Sequence, residues 1–208
     1  DLERFYGYRG RFLRRDKACE ILTGLRLGLE VQWVRHHDAH AAAAYFGSGL
    51  EVAAVVVVDA EGEEESASIY RVESGRLECL RRFGRDVSLG LMYRGVSEYC
   101  GFGQFGAGKT MGLASYAGAD VAPLPILPKN EDLWSPFDPS SSEDEIIEAW
   151  VRLLVARYGR PGDRTAPFSG LFPPLEAHRP AAAAAAQATL AITMRFLVKE
   201  AMRITGVS

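Results

Sequence analysis

His36 and His40 lie four residues apart in the segment HHDAHAAAAYFGSG, which runs from His36 to Gly49. Its alanine-rich composition predicts a helix, and the closing Gly and Ser are typical of a helix C-terminus. Residues four apart on a helix project from one face with β-carbons ~5–6 Å apart, so both imidazoles can bind one metal ion. The alternative is a histidine pair that caps a helix or fills a core.

Asp59 is the candidate third ligand. The segment VAAVVVVD, from Val52 to Asp59, is rich in β-branched residues and has no helical period, which predicts a buried strand. Two imidazoles and one carboxylate leave coordination positions open, a ligand set that suits catalytic iron, manganese or zinc. The alternative is a turn carboxylate that bonds backbone amides. A metalloprotease site is not expected, because His37 and not glutamate follows the first histidine.

A second motif, GQFGAGKT from Gly103 to Thr110, matches the phosphate-binding loop pattern. A phosphate loop follows a buried strand, whereas residues 91–102 contain interspersed polar residues and resemble a helix. A P-loop-type nucleotide hydrolase therefore stays an alternative function. The other interpretation is a glycine-rich surface turn with a solvated Lys109.

Four glutamates follow Asp59 closely and resemble paired acids for general acid–base chemistry: Glu61, Glu63, Glu64 and Glu65. An acidic run at a turn is usually a solvated tip. Glu63 is therefore the one member considered for a catalytic role.

The elements that must position these residues begin with a predicted three-stranded meander. It comprises residues 52–59, 66–72 and 76–83, with short turns between them. A helical segment is expected from Ser88 to Cys100.

Two longer helices are predicted further along the chain. Ser142 and Glu145 have capping-box spacing ahead of an apolar face with Ile146 and Trp150, and the helix is expected to end at Gly159. The alanine-rich segment 179–206 predicts one long helix whose alanines form a packing surface. Residues 118–142 and 161–180 are rich in proline and predict irregular loops.

The composition is that of an ordinary globular domain, with 48% apolar residues, 25% charged residues and a net charge of −3. Without a basic balance, nucleic acid is not an expected partner. The three cysteines show no disulfide or zinc-ribbon spacing, which favours a cytoplasmic location. No uninterrupted apolar run reaches the ~18 residues of a spanning helix, so no membrane partner is expected.

Taken together, these segments resemble the O-carbamoyltransferases of natural-product biosynthesis and nodulation-factor decoration. The resemblance rests on HHDAHAAAAYFGSG, VVVVDAEGE, SLGLMY, GFGQFGAGKTMGLASY and the AQATL helix, and extends over residues 30–208. The transferase domain of that family is similar to the tRNA threonylcarbamoyl transferase. The implied fold is α/β, part of the duplicated ribonuclease-H-like core of the actin and sugar kinase superfamily.

In that fold, residues 1–50 are the end of a first subdomain that carries the metal-binding helix, and residues 51–208 are a second, incomplete subdomain. The chain is expected to be a fragment, because it opens on Asp1 without methionine and stops directly after a helical segment. Ala60 stands where the family usually has glycine, which is expected to restrict the turn after the strand.

The resemblance implies that His36, His40 and Asp59 bind an iron-type metal, with manganese or zinc as alternatives. The two histidines and Glu63 are the expected catalytic residues. ATP and carbamoyl phosphate are the implied co-substrates, carbamoyl adenylate is the intermediate, and the acceptor is a hydroxyl of a small-molecule natural product or sugar.

Gly62 and Lys109 are expected to face the nucleotide or the acceptor. The implied partners are the remainder of the transferase domain and a YrdC-like domain, in the same or another chain. The alternative to catalysis by this family is an inactive binding or regulatory relative.

Overall fold

The structure, a computed structural model, describes residues 32–60, 62, 65–118, 120–159 and 178–207, together with Gly24. The elements are α1 (His36–Ser48), β1 (Val52–Val58), β2 (Glu65–Glu73), β3 (Arg76–Gly84), a 3-10 turn (Arg85–Val87), α2 (Leu89–Tyr99), α3 (Ala107–Ala114), β4 (Leu127–Lys129), β5 (Asp132–Trp134), α4 (Glu143–Tyr158) and α5 (His178–Thr205). Arg35–Ser208 form one compact unit. The α/β class is confirmed, and the duplicated ribonuclease-H-like core stays a prediction.

The predicted meander is confirmed as a three-stranded antiparallel sheet with the order β1-β2-β3. Val55 pairs with Tyr70, and a register shift follows Ile69 where β2 pairs with β3. The β2–β3 connection is a two-residue turn in which both Ser74 and Gly75 have positive φ. Such a turn has the twist that antiparallel strands need, which explains why Glu73-Ser74-Gly75 connects the two strands.

Helix α1 covers one face of the sheet. Its Ala41 and Tyr45 pack against a set of alternate strand residues, namely Ala53, Val55, Val57, Tyr70 and Val72. The Tyr45 hydroxyl donates to the Glu51 carbonyl and accepts from the Gly75 amide, at 2.9 and 3.2 Å. Gly49 ends the helix in the left-handed conformation, as its sequence predicts.

The other face of the sheet, with Ala67, Ile69 and Phe83, packs into the larger core formed with the remaining long helices. The alanine packing surface is confirmed, because four alanines of α5 are fully buried: Ala182, Ala183, Ala185 and Ala186. By length and composition alone α5 is apolar enough to cross a membrane, a criterion that a core helix also meets.

Helix α4 begins as predicted. Ser142 accepts from the Glu145 amide while the Glu145 side chain bonds the Ser142 amide, which forms the capping box. The helix ends before Gly159 and buries Ile146 and Trp150.

The prediction of an irregular loop over residues 118–142 is wrong for the segment that forms β4 and β5. These strands pair through Leu127 and Trp134, and Asn130 adopts a positive φ in the turn between them. Each strand has only three residues, too few to show an alternating pattern in the sequence. Helix α5 also holds the segment that precedes β4, because Thr189 of α5 accepts from the Leu124 amide at 2.7 Å.

The predicted loop over residues 161–180 lies outside the described residues, apart from the start of α5.

An ion-pair cluster around one buried carboxylate joins α5 to the sheet and has a testable pH dependence. Glu200 is 5% exposed and accepts from Arg81 at 2.5 Å and from Arg203 at 2.7 Å. The hydrogen bonds from Arg203, together with Arg81, outweigh burial and hold the pKa of Glu200 below its ordinary value of 4.5.

We expect Glu200→Gln to lower the free energy of unfolding at pH 7 by about 1–3 kcal/mol, because a charged hydrogen-bonded acceptor is lost. A lowered carboxylate pKa contributes stability above the ordinary value and loses it as the pH falls. The difference between wild type and variant should therefore shrink as the pH falls below 4.5. Urea unfolding at several pH values measures it, with Glu148→Gln, in an exposed pair, as the control. An equal difference at pH 7 and at pH 3 contradicts the assignment.

Candidate metal centre

The two histidines lie on the first turns of α1, as predicted. The helix begins at His36, because Arg35 has extended backbone angles and the Ala39 amide donates to the Arg35 carbonyl. The side chains of His36 and His40 are 29% and 52% exposed, whereas Ala41 on the opposite side of the helix is buried. The helix thus directs both imidazoles away from the core.

His36, His40 and Asp59 come together at the end of β1. The His36 Nε2 lies 2.7 Å from Asp59 Oδ2 and 3.0 Å from His40 Nε2. The His40 Nε2 lies 3.4 Å from the same carboxylate oxygen. Donor atoms that share one ion through bonds of about 2.0–2.2 Å are about 2.8–3.6 Å apart. The His36–His40 and His40–Asp59 separations lie in this range, and the His36–Asp59 separation is a hydrogen bond just below it. These three side chains, called the triad below, therefore fit a divalent metal ion.

The two carboxylate oxygens of Asp59 have different partners. Oδ1 accepts from the Ala60 amide at 2.6 Å, and Oδ2 faces the histidines. Burial opposes ionisation of Asp59, but the hydrogen bonds from His36 and the Ala60 amide outweigh it and lower the pKa. The two sequence interpretations are therefore compatible, since one oxygen bonds the backbone and the other stays directed at the imidazoles.

Ala60 does not restrict this turn in the way that its departure from the family suggested. The described non-glycine residues with positive φ are Ser74 and Asn130, so Ala60 needs no glycine-specific conformation.

Beside the triad, a cleft of about 340 Å³ is lined by His40, Ala44 and residues 55–59. The triad therefore borders open space.

His37 points in a different direction from its neighbour. It is fully buried, and its Nδ1 lies 2.7 Å from the Ser68 hydroxyl. Burial lowers the pKa of His37. A β-carbon on Gly62 would lie 2.9 Å from the His37 ring, so the turn after Asp59 rests directly on this imidazole. No sequence pattern assigns this packing role to His37, although the doublet of histidines is a visible signal.

The acidic run is only partly described, because Glu61, Glu63 and Glu64 lie outside the described residues. The prediction of a solvated tip is wrong for Glu65, which is 3% exposed at the start of β2. Its carboxylate accepts from Arg35 at 3.2 Å and from Arg82 at 2.6 Å. These two guanidinium groups satisfy the buried charge, a long-range arrangement that the sequence does not indicate.

The GQFGAGKT segment follows helix α2 and not a strand. Helix α3 begins inside it, and Lys109 is exposed on that helix. Thr110, whose hydroxyl would bind magnesium in a phosphate loop, is fully buried and bonds the Ser97 hydroxyl at 2.8 Å. A β-carbon on Gly106 would lie 2.3 Å from the Phe102 β-carbon, so this glycine permits close packing. These contacts favour a packing turn, and within the described residues no hydrogen bond joins Lys109 to the triad.

Comparison with known proteins places these residues in a family. The profile of the carbamoyltransferase N-terminus matches residues 18–129, a little over half of the chain. The nodulation protein NolNO of Sinorhizobium fredii is 34% identical over 93 residues, which cover 45% of this chain and 13% of that protein. The nodulation protein NolO of Bradyrhizobium diazoefficiens is 38% identical over 88 residues, which cover 42% of this chain and 16% of that protein.

An uncharacterized protein of Synechocystis is 38% identical over 82 residues, which cover 39% of this chain and 13% of that protein. The matched segments thus span less than a fifth of the length of each of these relatives. The profile match contains the triad and the GQFGAGKT segment. Because this match extends over more than half of the chain, the protein belongs to the carbamoyltransferase family.

Proposed function

We propose that this chain takes part in transferring a carbamoyl group to a hydroxyl of a small-molecule natural product or sugar, at the expense of ATP and carbamoyl phosphate. The observation that carries the proposal is the convergence of His36, His40 and Asp59 within 4.8 Å, in the segment that matches the family. Three ligands with open positions are typical of catalytic metal sites and not of closed structural ones.

The three side chains would hold a divalent ion, with iron proposed first and manganese or zinc as alternatives. When bound, such an ion supplies Lewis-acid polarisation of the carbamoyl carbonyl and neutralises phosphate charge. The chain itself supplies orientation. Helix α1 fixes the two imidazoles, and the Ala60 amide holds the Asp59 carboxylate with its other oxygen directed at the histidines. An aspartate of ordinary pKa is already ionised at neutral pH, and the lowered pKa of Asp59 extends the ionised form to more acidic pH.

In the proposed transfer step, the acceptor hydroxyl oxygen forms a bond to the carbamoyl carbon of carbamoyl adenylate. The bond from that carbon to the phosphate oxygen breaks, and AMP leaves. The hydroxyl proton passes to a base, for which Glu63 is the proposed residue. Gly62 and Lys109 are proposed to face the nucleotide or the acceptor. The remainder of the transferase domain and a YrdC-like domain are proposed to supply carbamoyl adenylate.

The test is carbamoyl transfer by the purified protein with ATP, carbamoyl phosphate, Fe²⁺ and a panel of hydroxyl acceptors, with and without an added YrdC-like domain. Mass spectrometry detects the carbamoylated acceptor. We expect product with the wild type and at least a ~100-fold loss with Asp59→Asn, because transition-state charge stabilisation is lost. Asp132→Asn, at an exposed carboxylate, is the control.

Three other outcomes would contradict the proposal. Equal amounts of product from wild type and Asp59→Asn would show that carbamoyl transfer does not depend on the triad. Stoichiometric metal without turnover of any acceptor would favour an inactive binding relative. ATP hydrolysis that is lost in Lys109→Ala and kept in His40→Ala would favour the P-loop-type hydrolase.

A further inference from the structure

The turn that carries Asp59 is bonded to the beginning of helix α2. Ser88 is 1% exposed, and its hydroxyl donates to the Ala60 carbonyl at 2.6 Å. The same hydroxyl accepts from the Leu91 amide at 3.1 Å, which caps the helix. One buried side chain therefore links the cap of α2 to the carbonyl of Ala60, the residue that follows Asp59.

Gly90 brings the backbone of α2 into direct contact with this turn. A β-carbon on Gly90 would lie 2.4 Å from the Ala60 α-carbon and 2.6 Å from its β-carbon. Any larger residue at this position would have to displace backbone atoms. The contact therefore fixes the distance between the start of α2 and the turn.

The backbone is hydrogen-bonded on both sides of the Asp59 α-carbon. The Asp59 amide donates to the Ser66 carbonyl at 2.9 Å, which extends the sheet ladder beyond β1. The Ala60 amide donates to Asp59 Oδ1 at 2.6 Å, and the Ala60 carbonyl accepts from Ser88. The Asp59 amide lies before the Asp59 α-carbon, and the Ala60 amide and carbonyl lie after it. Because the peptide group between Asp59 and Ala60 is planar, bonds at these atoms restrict the direction in which the Asp59 side chain leaves the backbone.

We propose that Ser88 is a positioning residue for the metal triad. Its hydroxyl holds the Ala60 carbonyl so that Asp59 Oδ2 stays directed at His36 and His40. Helix α2 is a rigid support for this contact, because its Leu91 and Met92 are fully buried in the core. The inference rests on the proposed function, since it assigns a support to the metal site proposed there.

The test is titration of the purified, metal-free protein with Co²⁺ alone, followed by visible absorption. Ser88→Ala should weaken Co²⁺ binding at least ~10-fold, because groups that orient a ligand typically contribute a 10–100-fold effect on metal affinity. Ser88→Thr keeps a hydroxyl and should restore most of the affinity. Circular dichroism confirms that every variant is folded at the titration temperature.

Ser142→Ala is the matched control, because Ser142 caps α4 through the same kind of bond and makes no hydrogen bond to the turn at Ala60. It should lose the stabilisation that its own cap gives α4 and keep wild-type Co²⁺ affinity. The inference is overturned if Ser88→Ala binds Co²⁺ like the wild type, or if Ser142→Ala is weakened equally. If the wild type itself binds no Co²⁺, the proposed metal site fails and the inference fails with it.

Discussion

Purified wild-type protein is expected to hold about one transition-metal ion per chain, and His36→Ala, His40→Ala and Asp59→Ala should each lose nearly all of it. Each variant leaves only two of the three donor atoms that lie 2.7–3.4 Å apart. A catalytic metal site usually needs three protein ligands, so the loss of one should weaken affinity by more than the ~100-fold that a supporting residue contributes. Elemental analysis after dialysis measures the metal content.

The His40→Ala variant separates loss of metal from loss of fold. His40 is 52% exposed on α1, and alanine is the best helix former. The free energy of unfolding of the metal-free variant should therefore lie within about 0.5 kcal/mol of that of the metal-free wild type. Asp132→Ala, which removes an exposed carboxylate, should keep the full metal content. Folded wild-type protein without stoichiometric metal would show that the triad is a hydrogen-bonded cluster and no metal site.

The triad could be predicted because its geometry is almost entirely local. A spacing of four residues places two histidines on one helix face, and a β-branched run that ends in aspartate marks the end of a strand. The connection between α1 and β1 is short, which limits where Asp59 can lie relative to His40. Local signals therefore sufficed to bring three residues together.

The supports of the triad could not be predicted, because they depend on contacts between distant segments. Ser88 bonds Ala60 across 28 residues of chain, and Glu65 accepts from Arg35 across 30 residues. Neither contact leaves a period or a motif in the sequence. The composition of the acidic run likewise does not indicate that Glu65 is buried, because composition carries no information on which residue of the run faces the core.

A second large effect is expected in the core that supports α2. Trp150 is fully buried, and its ring meets that of Phe137 edge-on at 4.7 Å between centroids. A β-carbon on Gly95 of α2 would lie 2.6 Å from the Trp150 β-carbon, so α2 and α4 pack backbone to side chain here. The indole Nε1 has no hydrogen-bond partner among the described residues, which makes the contribution of Trp150 one of packing.

We expect Trp150→Ala to lower the free energy of unfolding by about 3–5 kcal/mol, the usual cost of truncating a buried aromatic residue. Trp150→Phe keeps most of the buried ring and should lose about 1–2 kcal/mol. Urea denaturation followed by circular dichroism measures both, and Trp134→Ala, at a 45% exposed position, should lose less than about 1 kcal/mol. Because Ser88 caps α2, Trp150→Ala should also weaken Co²⁺ binding at temperatures close to the unfolding midpoint of the variant. A loss below about 1 kcal/mol for Trp150→Ala would mean that α4 does not hold α2 in place, and the support of the turn at Ala60 would then have to come from the sheet and α5.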